Sequence, residues 1–285
     1  MRDVPLAGEE VDQPAEASAR EDERDGASSL TKMLSILDIF SIEHPVRSTA
    51  EILEATRSTR STGYRYIKAL TSAGLLSAVG NGHYILGSRI IELDLQIRET
   101  DPLLQSAEGV LEDLVEKTGH SSILCMLFQN SVLCIDEHRT AEGPKVLFSR
   151  GQRRTLFKGA MSKVILAHLP THRLRSIFAR RGEDIRNADL GKDWDQFRDT
   201  LATIRSNGFF RSQGEFHGGI IGIGAPLFNA DDAIVGSLGV AWGQDEKPTM
   251  PENEIIDEVR GAAAKVSARM KSSDLRLAMP PRAVG

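Results

Sequence analysis

A cationic stretch between residues 57 and 68 contains the side chains whose types and spacing best suit recognition chemistry. It holds four Arg or Lys residues and no acid, together with hydroxyl and phenol groups. Arg and Lys neutralise phosphates and release counterions, and one Arg can donate two hydrogen bonds to a guanine edge. Hydroxyl and phenol groups also suit phosphates and base edges. The residues of this stretch that we predict to contact a DNA duplex are Arg57, Arg60, Ser61, Thr62, Tyr64, Arg65 and Lys68.

Two helices are predicted to precede this stretch. The first, from Leu30 to about Ile42, has apolar residues at helical spacing, which predicts one buried face. The second opens at Ser48, where a hydroxyl three residues before Glu51 is the pattern of a capping box. The residues assigned to the two buried faces are Leu30, Met33, Leu34, Leu37, Phe40, Ile52 and Leu53.

A third helix is predicted to carry the cationic stretch. It begins near Ser58 or Thr59 and ends at Gly74, because the left-handed conformation that follows many helices usually needs glycine. The cations are left for its outer face. The residues predicted to face inward are Tyr66, Ile67 and Leu70.

A short hairpin follows the third helix. The pattern predicts strands Leu75–Val79 and His83–Leu86 around Gly80-Asn81-Gly82, and Asn-Gly is the strongest short hairpin signal. Three helices and a hairpin in this order indicate a winged helix-turn-helix, although a basic helix face can also be merely solvated. Further DNA contacts are predicted at Ser48, Thr49, Asn81 and His83.

Length and composition fit two folded domains. The chain has 285 residues, of which 40% are apolar. No apolar run approaches the roughly 20 residues that a membrane helix needs, and no secretory signal is recognisable. Cys125 and Cys134 have no CxxC spacing and are predicted to be buried thiols. We therefore expect a reduced, cytoplasmic protein with no membrane partner.

The net charge of −5 is unevenly distributed. Residues 1–27 hold nine acids against three arginines, which makes the remainder slightly basic, and residues 28–90 hold seven cations against four acids. The first segment lacks aromatic residues and is too polar to bury a core, so we expect it to be disordered. A modestly basic module behind an acidic segment is compatible with DNA binding.

The rest of the chain predicts an α+β fold. A linker helix from Gly87 to about Thr100 is apolar on more than one side, which suits contact with a partner chain, although an ordinary intradomain helix is the alternative. One helix is expected over Leu103–Lys117. Hairpins interspersed with helices then indicate a mostly antiparallel sheet. The predicted strands are Ser121–Phe128, Val132–His138, Val146–Ser149, Phe209–Arg211, Gly219–Leu227 and Ile234–Ala241; the predicted helices are Gly159–Leu169, Thr171–Arg180, Trp194–Ser206 and Pro251–Met270.

The sequence resembles the IclR family of bacterial transcription regulators from about Ser28 to Met270. The N-terminal resemblance lies in Ser29-Leu30-Thr31-Lys32, Leu37-Asp38-Ile39-Phe40, Ala50-Glu51-Ile52, Arg60-Ser61-Thr62-Gly63-Tyr64-Arg65, Gly74-Leu75-Leu76 and Tyr84-Ile85-Leu86-Gly87. The C-terminal resemblance lies in Gly151, Leu156, Ala160, Lys163, Leu166-Ala167, Ile204–Phe209, Gly214-Glu215, Gly219 and Ala225-Pro226-Leu227-Phe228.

The resemblance implies a ligand-responsive regulator of a catabolic operon that represses or activates transcription. It also implies a homodimer or homotetramer and a GAF-like C-terminal sensing domain. Together with the patterns above, it divides the chain into five parts: a disordered acidic tail (1–27), a winged helix-turn-helix domain (28–87), a linker and dimerisation helix (88–101), an effector-binding domain (102–272) and a frayed tail (273–285).

The resemblance also implies an effector site between the central sheet and the segment around residue 160. The implied site residues are Ala160, Met161, Ser212, Ile220, Gly222, Gly239 and Ala241, with Arg154. Their small side chains favour a larger effector such as an aromatic acid. Nearby cations can hold a carboxylate, although a solvated loop is an equal alternative for them. These cations are Arg153, Arg154, Lys158 and Lys163, while Glu215 is expected to be structural.

Two other functions compete with a DNA-binding regulator. An enzyme is disfavoured because the sequence has no nucleophile elbow, phosphate loop or metal cluster, and Gly222-Ile223-Gly224 lacks a third glycine at dinucleotide-binding spacing. His168 and His172 are separated by Pro170, so we predict no metal ligand, catalytic residue or cofactor. A winged-helix protein–protein adaptor is the second alternative.

Overall fold

The computed structural model describes residues 29–141, 143–144, 148–215, 218–246 and 249–272. The chain forms two compact units, one ending at Ile97 and the other beginning at Arg98. The predicted disordered tail (1–27), the frayed tail (273–285) and residues 146–147 of a predicted strand lie outside the described residues.

The first unit is a helical module with a small antiparallel sheet, whose strand order is β1-β3-β2. Helix, helix, helix and hairpin follow one another as in a winged helix-turn-helix. Strand β1 was not predicted, because two polar residues carry no strand pattern. The elements are α1 (29–34, continued by a 3-10 turn, Ser35–Ile39), β1 (Arg47–Ser48), α2 (Thr49–Thr56), α3 (Arg60–Ser72), β2 (Leu76–Gly80), β3 (His83–Leu86) and α4 (Arg89–Thr100).

The apolar stripe predicted for the first helix is partly wrong. Leu30 and Leu34 are 61% and 53% exposed, whereas Ile36 is fully buried and Phe40 is 9% exposed. Helix α1 tightens into a 3-10 turn at Ser35. A 3-10 turn has about three residues per turn, so the side chains that follow rotate away from the 3.6-residue stripe.

Helix α3 packs as predicted. Tyr66, Ile67 and Leu70 are at most 6% exposed and form the core of the first unit. Gly63 allows α2 and α3 to approach closely, because a Cβ atom at this position would lie only 1.9 Å from a Leu53 methyl group. The inward face of α3 is thus fixed by close packing, and its cations are left on the outside.

Glycine conformations end α3 and form the hairpin turn. Gly74 has φ +72°, and the Leu75 N–H donates to the Leu70 carbonyl at 2.9 Å, which is a Schellman cap. Asn81 and Gly82 both have positive φ, 49° and 71°. Two such residues form the type I′ turn that suits a two-residue hairpin. The predicted end of α3 and the predicted hairpin are confirmed.

The second unit is built around a six-stranded antiparallel sheet with strand order β6-β5-β4-β9-β8-β7. This arrangement confirms the predicted α+β class. The elements are α5 (Pro102–Ala107), α6 (Val110–Thr118), β4 (Ser121–Phe128), β5 (Ser131–His138), β6 (Arg153–Thr155), α7 (Ala160–Ala167), α8 (Thr171–Asn187), α9 (Trp194–Asn207), β7 (Phe210–Gln213), β8 (Ile220–Phe228), β9 (Ile234–Gly243) and α10 (Glu252–Ser272).

Both faces of this sheet are covered. Ile123 and Cys125 of β4 point into a core shared with α7, α8 and α9, whereas Leu124 points into a core shared with α5, α6 and α10. The alternation follows the two-residue period of a strand. Cys125 and Cys134 are buried thiols with no disulfide, as predicted, and they lie opposite each other in the β4–β5 pair. Burial raises the pKa of the Cys125 thiol well above its ordinary value.

Two predicted elements of the second unit are wrong. The helix predicted over Leu103–Lys117 is broken between α5 and α6, because Gly109 takes a left-handed conformation with φ 71°. Within the predicted strand Val146–Ser149, the described residues 148 and 149 form no strand. The edge strand is instead β6, which pairs with β5 from Leu133 to Ser131.

His120 is a buried side chain whose ring nitrogens have no hydrogen-bond partner within the described part of the chain. It is 2% exposed, and its ring stacks on Trp242 with a centroid separation of 4.5 Å. Burial lowers the pKa of His120 below its ordinary value of 6.5, and the Glu246 carboxylate offsets this only in part. The folded chain therefore disfavours a protonated His120.

Replacing His120 with phenylalanine is expected to increase the free energy of unfolding by about 1 kcal/mol at neutral pH. The folded-state pKa of His120 lies below the ordinary 6.5, so the unfolded chain binds more protons and wild-type stability falls as the pH drops below 6.5. Phenylalanine keeps the stack on Trp242 and removes that pH dependence. Urea unfolding at about pH 7.5 and about pH 5.5 measures both effects. The exposed His172→Gln is the control, and a His120→Phe protein with the wild-type pH response would contradict the prediction.

Candidate DNA-binding helix and ligand cavity

The outer surface of α3 presents cations and hydroxyls to solvent. Arg60, Tyr64 and Lys68 are exposed and four residues apart, so they lie in one row along the helix. Ser61 and Arg65 form the adjacent row and are also exposed. The structure thus brings together on one face the residues that the sequence analysis placed on α3, with Thr62 half-buried beside them.

The start of α3 is held by its cap. The Thr59 hydroxyl accepts the Thr62 N–H at 3.4 Å and donates to the Thr62 hydroxyl at 3.0 Å. Thr62 is therefore partly engaged within the protein. Arg57 ends α2 in a left-handed conformation with φ 48°, and its exposed side chain precedes the outer face of α3.

The hydroxyls predicted to bind DNA at the start of α2 are engaged within the protein. Ser48 forms the predicted capping box with Glu51, and its N–H and hydroxyl lower the pKa of that carboxyl to about 2. Thr49 donates from its hydroxyl to the Gly82 carbonyl at 2.9 Å. Thr49 therefore ties the start of α2 to the hairpin tip, and Ser48 pairs with His83 of β3. Asn81 and His83, on that tip, are exposed.

A small cavity lies in the second unit between α7 and the face of the sheet that α7 covers. It is lined by apolar groups from the sheet and α7, and by a few polar side chains at one end. Its volume is about 60 Å³. The lining residues are Ile123, Phe148, Arg154, Lys158, Gly159, Ala160, Met161, Ser162, Ser212, Glu215, Ile220, Gly222 and Ala241.

The first turn of α7 faces this cavity with backbone N–H groups held by side chains. The Gly159 N–H donates to Glu215 Oε2 at 2.8 Å, and the Ala160 N–H donates to Ser212 Oγ at 3.1 Å. The start of a helix carries partial positive charge and favours acidic groups. Glu215 therefore neutralises this end of the cavity.

Glu215 also forms a largely buried ion pair. Its Oε2 lies 2.9 Å from Lys163 Nζ, and the two side chains are 21% and 7% exposed. Lys163 Nζ donates in addition to the Ala188 carbonyl at 3.3 Å and lies 5.1 Å from the centroid of the Phe210 ring. The predicted structural role of Glu215 agrees with these contacts. Lys163 is occupied by them rather than directed at the cavity.

Of the four predicted cations, Arg154 and Lys158 line the cavity, and Arg154 is the more buried of the two. Its guanidinium lies 4.3 Å from the centroid of the Phe148 ring, and both residues line the cavity. Burial lowers the pKa of Arg154 from its ordinary value, and the neighbouring Cys125 and Cys134 partly offset this. A partly buried guanidinium favours an anionic partner, because electrostatic attraction is stronger away from water. Arg153 instead packs over Phe128, away from the cavity.

Seven of the eight residues predicted for the effector site line the cavity, and Gly239 does not. Gly239 lies opposite Gly224 in the β8–β9 pair, and the Met161 thioether covers both: a Cβ at Gly239 would lie 2.5 Å from Met161 Cε. Met161 therefore occupies the volume that the two glycines leave open.

Several lining residues were not predicted. Ile123 and Phe148 come from β4 and from the segment before β6, which no local pattern connects to α7. Gly159 lies directly before Ala160. Its φ of 82° is a backbone conformation that favours glycine, so the residue type was the one sequence signal for this position. Ser162 was missed because it lies in the first turn of a mainly apolar helix and no sequence pattern marks it.

Neither a metal site nor a membrane-spanning helix is found among the described residues. The His168 Nδ1–H donates to the Val164 carbonyl, four residues earlier, at 2.9 Å. Across the described ranges, no group of three or more His, Cys, Asp or Glu side chains is arranged to hold a metal ion. Over the same ranges, no helix has the length and apolar character to cross a bilayer.

The family model "Bacterial transcriptional regulator IclR C-terminal" matches residues 96–268 of this chain. The chain is 21% identical to the transcriptional regulator KipR of Bacillus subtilis over 85% of this chain and 96% of KipR. It is 22% identical to KdgR of Escherichia coli over 88% of this chain and 95% of KdgR.

Solved structures share the fold. An IclR homologue from Microbacterium hydrocarbonoxydans, complexed with 4-hydroxybenzoate, superposes with a TM-score of 0.70 at 18% identity. The match covers 86% of this chain and all of the other. Because the family model covers more than half of the sequence, the predicted resemblance is confirmed: the chain belongs to the IclR family of bacterial transcriptional regulators.

Proposed function

We propose that this chain regulates a catabolic operon by binding an operator through α3, and that a small organic carboxylate in the cavity sets its affinity for DNA. The observation that supports this most strongly is the acid-free cationic face of α3 in a chain whose second unit holds a cavity beside Arg154. A ligand that prefers one conformation of the regulator changes its DNA affinity by the difference between its affinities for the two conformations, typically ~1–3 kcal/mol.

Self-association is part of the proposal. Helix α4 leaves Ile91, Leu95 and Ile97 74%, 58% and 51% exposed. These apolar side chains suit burial against a second copy, as the linker helix was predicted to do. A dimer would present two copies of α3 to two operator half-sites about 34 Å apart, one turn of duplex.

The predicted aromatic effector requires a change at Met161. A cavity of about 150 Å³ is known to hold benzene, whereas this cavity measures about 60 Å³. Met161 is flexible and fills the missing space over Gly224 and Gly239. The Microbacterium homologue, which shares this fold, is complexed with 4-hydroxybenzoate, and this supports an aromatic acid as the effector of the present chain. We therefore propose that an aromatic carboxylate displaces the Met161 thioether and places its carboxylate at Arg154.

The proposal is tested by titrating operator-containing DNA with the protein, with and without 4-hydroxybenzoate as the probe. We expect tight binding to a duplex from the region around the gene and a shift of about 5- to 150-fold when the probe is present. DNA binding with no response to this probe or to short aliphatic acids would contradict the effector half. Absence of DNA binding would contradict the whole proposal.

Replacing Arg154 with methionine is expected to weaken carboxylate binding by about 10- to 150-fold, because a charge-assisted hydrogen bond contributes ~1.5–3 kcal/mol. Titration calorimetry with 4-hydroxybenzoate measures this loss. Arg153→Met is the matched control, since Arg153 is adjacent, exposed and packed over Phe128. Equal losses in the two variants would show that Arg154 has no specific role.

Substitutions at Met161 test the size of the effector. Met161→Ala enlarges the cavity and is expected to tighten aromatic carboxylate binding several-fold, whereas Met161→Ile keeps the volume but stiffens the side chain and is expected to weaken it. Calorimetry compares 4-hydroxybenzoate with pyruvate for both variants. A wild-type protein that binds pyruvate but not 4-hydroxybenzoate, with no gain in Met161→Ala, would exclude the aromatic class.

A further inference from the structure

The acidic segment, residues 1–27, and the cationic face of α3 are complementary in charge. The segment carries nine carboxylates against three guanidiniums. The stretch from Arg57 to Lys68 carries four cations and no acid. We propose that the acidic segment docks on the cationic face of α3 in the same chain and competes there with DNA. This inference rests on the proposed role of α3.

The structure shows where the acidic segment joins the folded module. Ser29, the first described residue, hydrogen-bonds through its hydroxyl to the Tyr66 hydroxyl at 2.7 Å. Tyr66 belongs to α3 itself. An α-helix with its side chains is about 10–12 Å across. Ser29, two residues after the segment, therefore lies within about one helix diameter of the face that carries Arg60, Arg65 and Lys68.

The segment is long enough to reach that face. A flexible chain of this length has an r.m.s. end-to-end distance of about 30 Å. Tethering at such a distance gives an effective concentration in the millimolar range. A weak electrostatic contact, of a kind that would be negligible between separate molecules, is therefore populated within one chain.

Docking at this position would lower the affinity for any duplex. The carboxylates occupy the cations that contact phosphates, and phosphate contacts are shared by the operator and by random duplex. Both kinds of DNA bind only the undocked form, so the apparent affinity for each falls by the same factor. The segment would thus raise the protein concentration needed to occupy DNA without changing the ratio between operator and random duplex.

Affinity for a random duplex tests the effect. We compare the full chain, a chain lacking residues 2–27, and a full-length chain in which the nine acids are replaced by Asn or Gln. Both variants are expected to bind random duplex about tenfold more tightly at about 50 mM salt, with the difference narrowing at about 300 mM salt. Gln13→Ala with Ser18→Ala, which keeps length and charge, is the control and should match the full chain.

The outcomes are separable. If all forms bind the duplex equally, the docking is excluded while the proposed function of α3 stands. If no form binds duplex at low salt, the proposed function itself fails. If only the shortened chain gains affinity and the neutralised chain does not, length rather than charge is responsible, and the docking is again excluded.

Zero-length cross-linking distinguishes docking from long-range repulsion. A carbodiimide joins a lysine amine to a carboxylate in direct contact, and Lys68 is the lysine of the cationic face. We expect peptides that join Lys68 to residues 1–27 in the DNA-free full chain, and their loss when duplex DNA is added. An affinity change without any Lys68 cross-link would mean that the segment repels DNA from a distance, and would overturn the proposal.

Discussion

Replacing Arg60 or Arg65 with alanine is expected to weaken binding to a specific operator by about 1–3 kcal/mol each, or about 5- to 150-fold. Both side chains are exposed, lie in adjacent rows of α3 and belong to its first two turns, the part of a recognition helix that contacts base edges. Arg can form two hydrogen bonds to guanine, and alanine forms none. Fluorescence anisotropy with labelled operator measures the loss.

Two further variants give this prediction its controls. Lys68→Ala removes a cation about two turns beyond Arg60 on α3. It is expected to weaken binding to operator and to random duplex equally, and to reduce the slope of log affinity against log salt by about one. Arg198→Ala removes an exposed cation from the second unit and should leave DNA binding unchanged. Wild-type affinity in both Arg60→Ala and Arg65→Ala would show that another surface binds the duplex.

Glu215→Ala is expected to lower the free energy of unfolding by about 3–5 kcal/mol, the usual cost of removing one partner from a buried ion pair. Lys163, whose side chain is 7% exposed, would lose its carboxylate partner and be left with the Ala188 carbonyl and the Phe210 ring. The Gly159 N–H would also lose its acceptor. Urea unfolding of the purified protein measures the change.

A double variant separates charge from packing at this pair. Lys163→Met with Glu215→Gln removes both charges, keeps an acceptor for the Gly159 N–H and fills the space of the lysine stem, so most of the lost stability should return. The exposed pair Lys265–Asp113, 3.2 Å apart, provides the comparison. Asp113→Ala there should cost less than about 1 kcal/mol. Equal losses of unfolding free energy in Glu215→Ala and Asp113→Ala would contradict the larger loss expected for the buried pair.

Local signals explain why the helices and hairpin of the first unit could be predicted closely from sequence. Thr59 and Gly74 mark both ends of α3, because a hydroxyl cap and a left-handed glycine each satisfy backbone groups that the helix cannot. Asn81-Gly82 fixes the turn of the hairpin in the same way. Each of these signals acts over a few residues, so no knowledge of distant contacts is needed.

Periodicity misled where an apolar residue has more than one possible partner. Leu30 and Leu34 follow helical spacing yet are exposed in this single chain. Spacing alone does not say whether such a stripe packs on its own core or elsewhere. At Gly109 the helical pattern predicted one continuous helix. A glycine inside such a pattern is often tolerated, but here its left-handed conformation separates α5 from α6.

The cavity required distant parts of the chain to be placed together. Arg154 lies on a three-residue edge strand with no apolar alternation, so the strand itself was missed. The pairing of Lys163 with Glu215 depends on β7 lying beside β8 and under α7, which no local pattern encodes. The resemblance assigned Gly239 to the site, but nothing in the sequence indicated that the Met161 side chain would cover it.

Hydroxyl-radical footprinting on the DNA around this gene, with the purified full-length protein at low ionic strength, shows directly whether α3 binds an operator. We expect two protected patches about one helical turn apart, both lost in a protein carrying Arg60→Ala and Arg65→Ala. An unprotected duplex, or protection that survives in that double variant, would contradict the claim that α3 binds the operator.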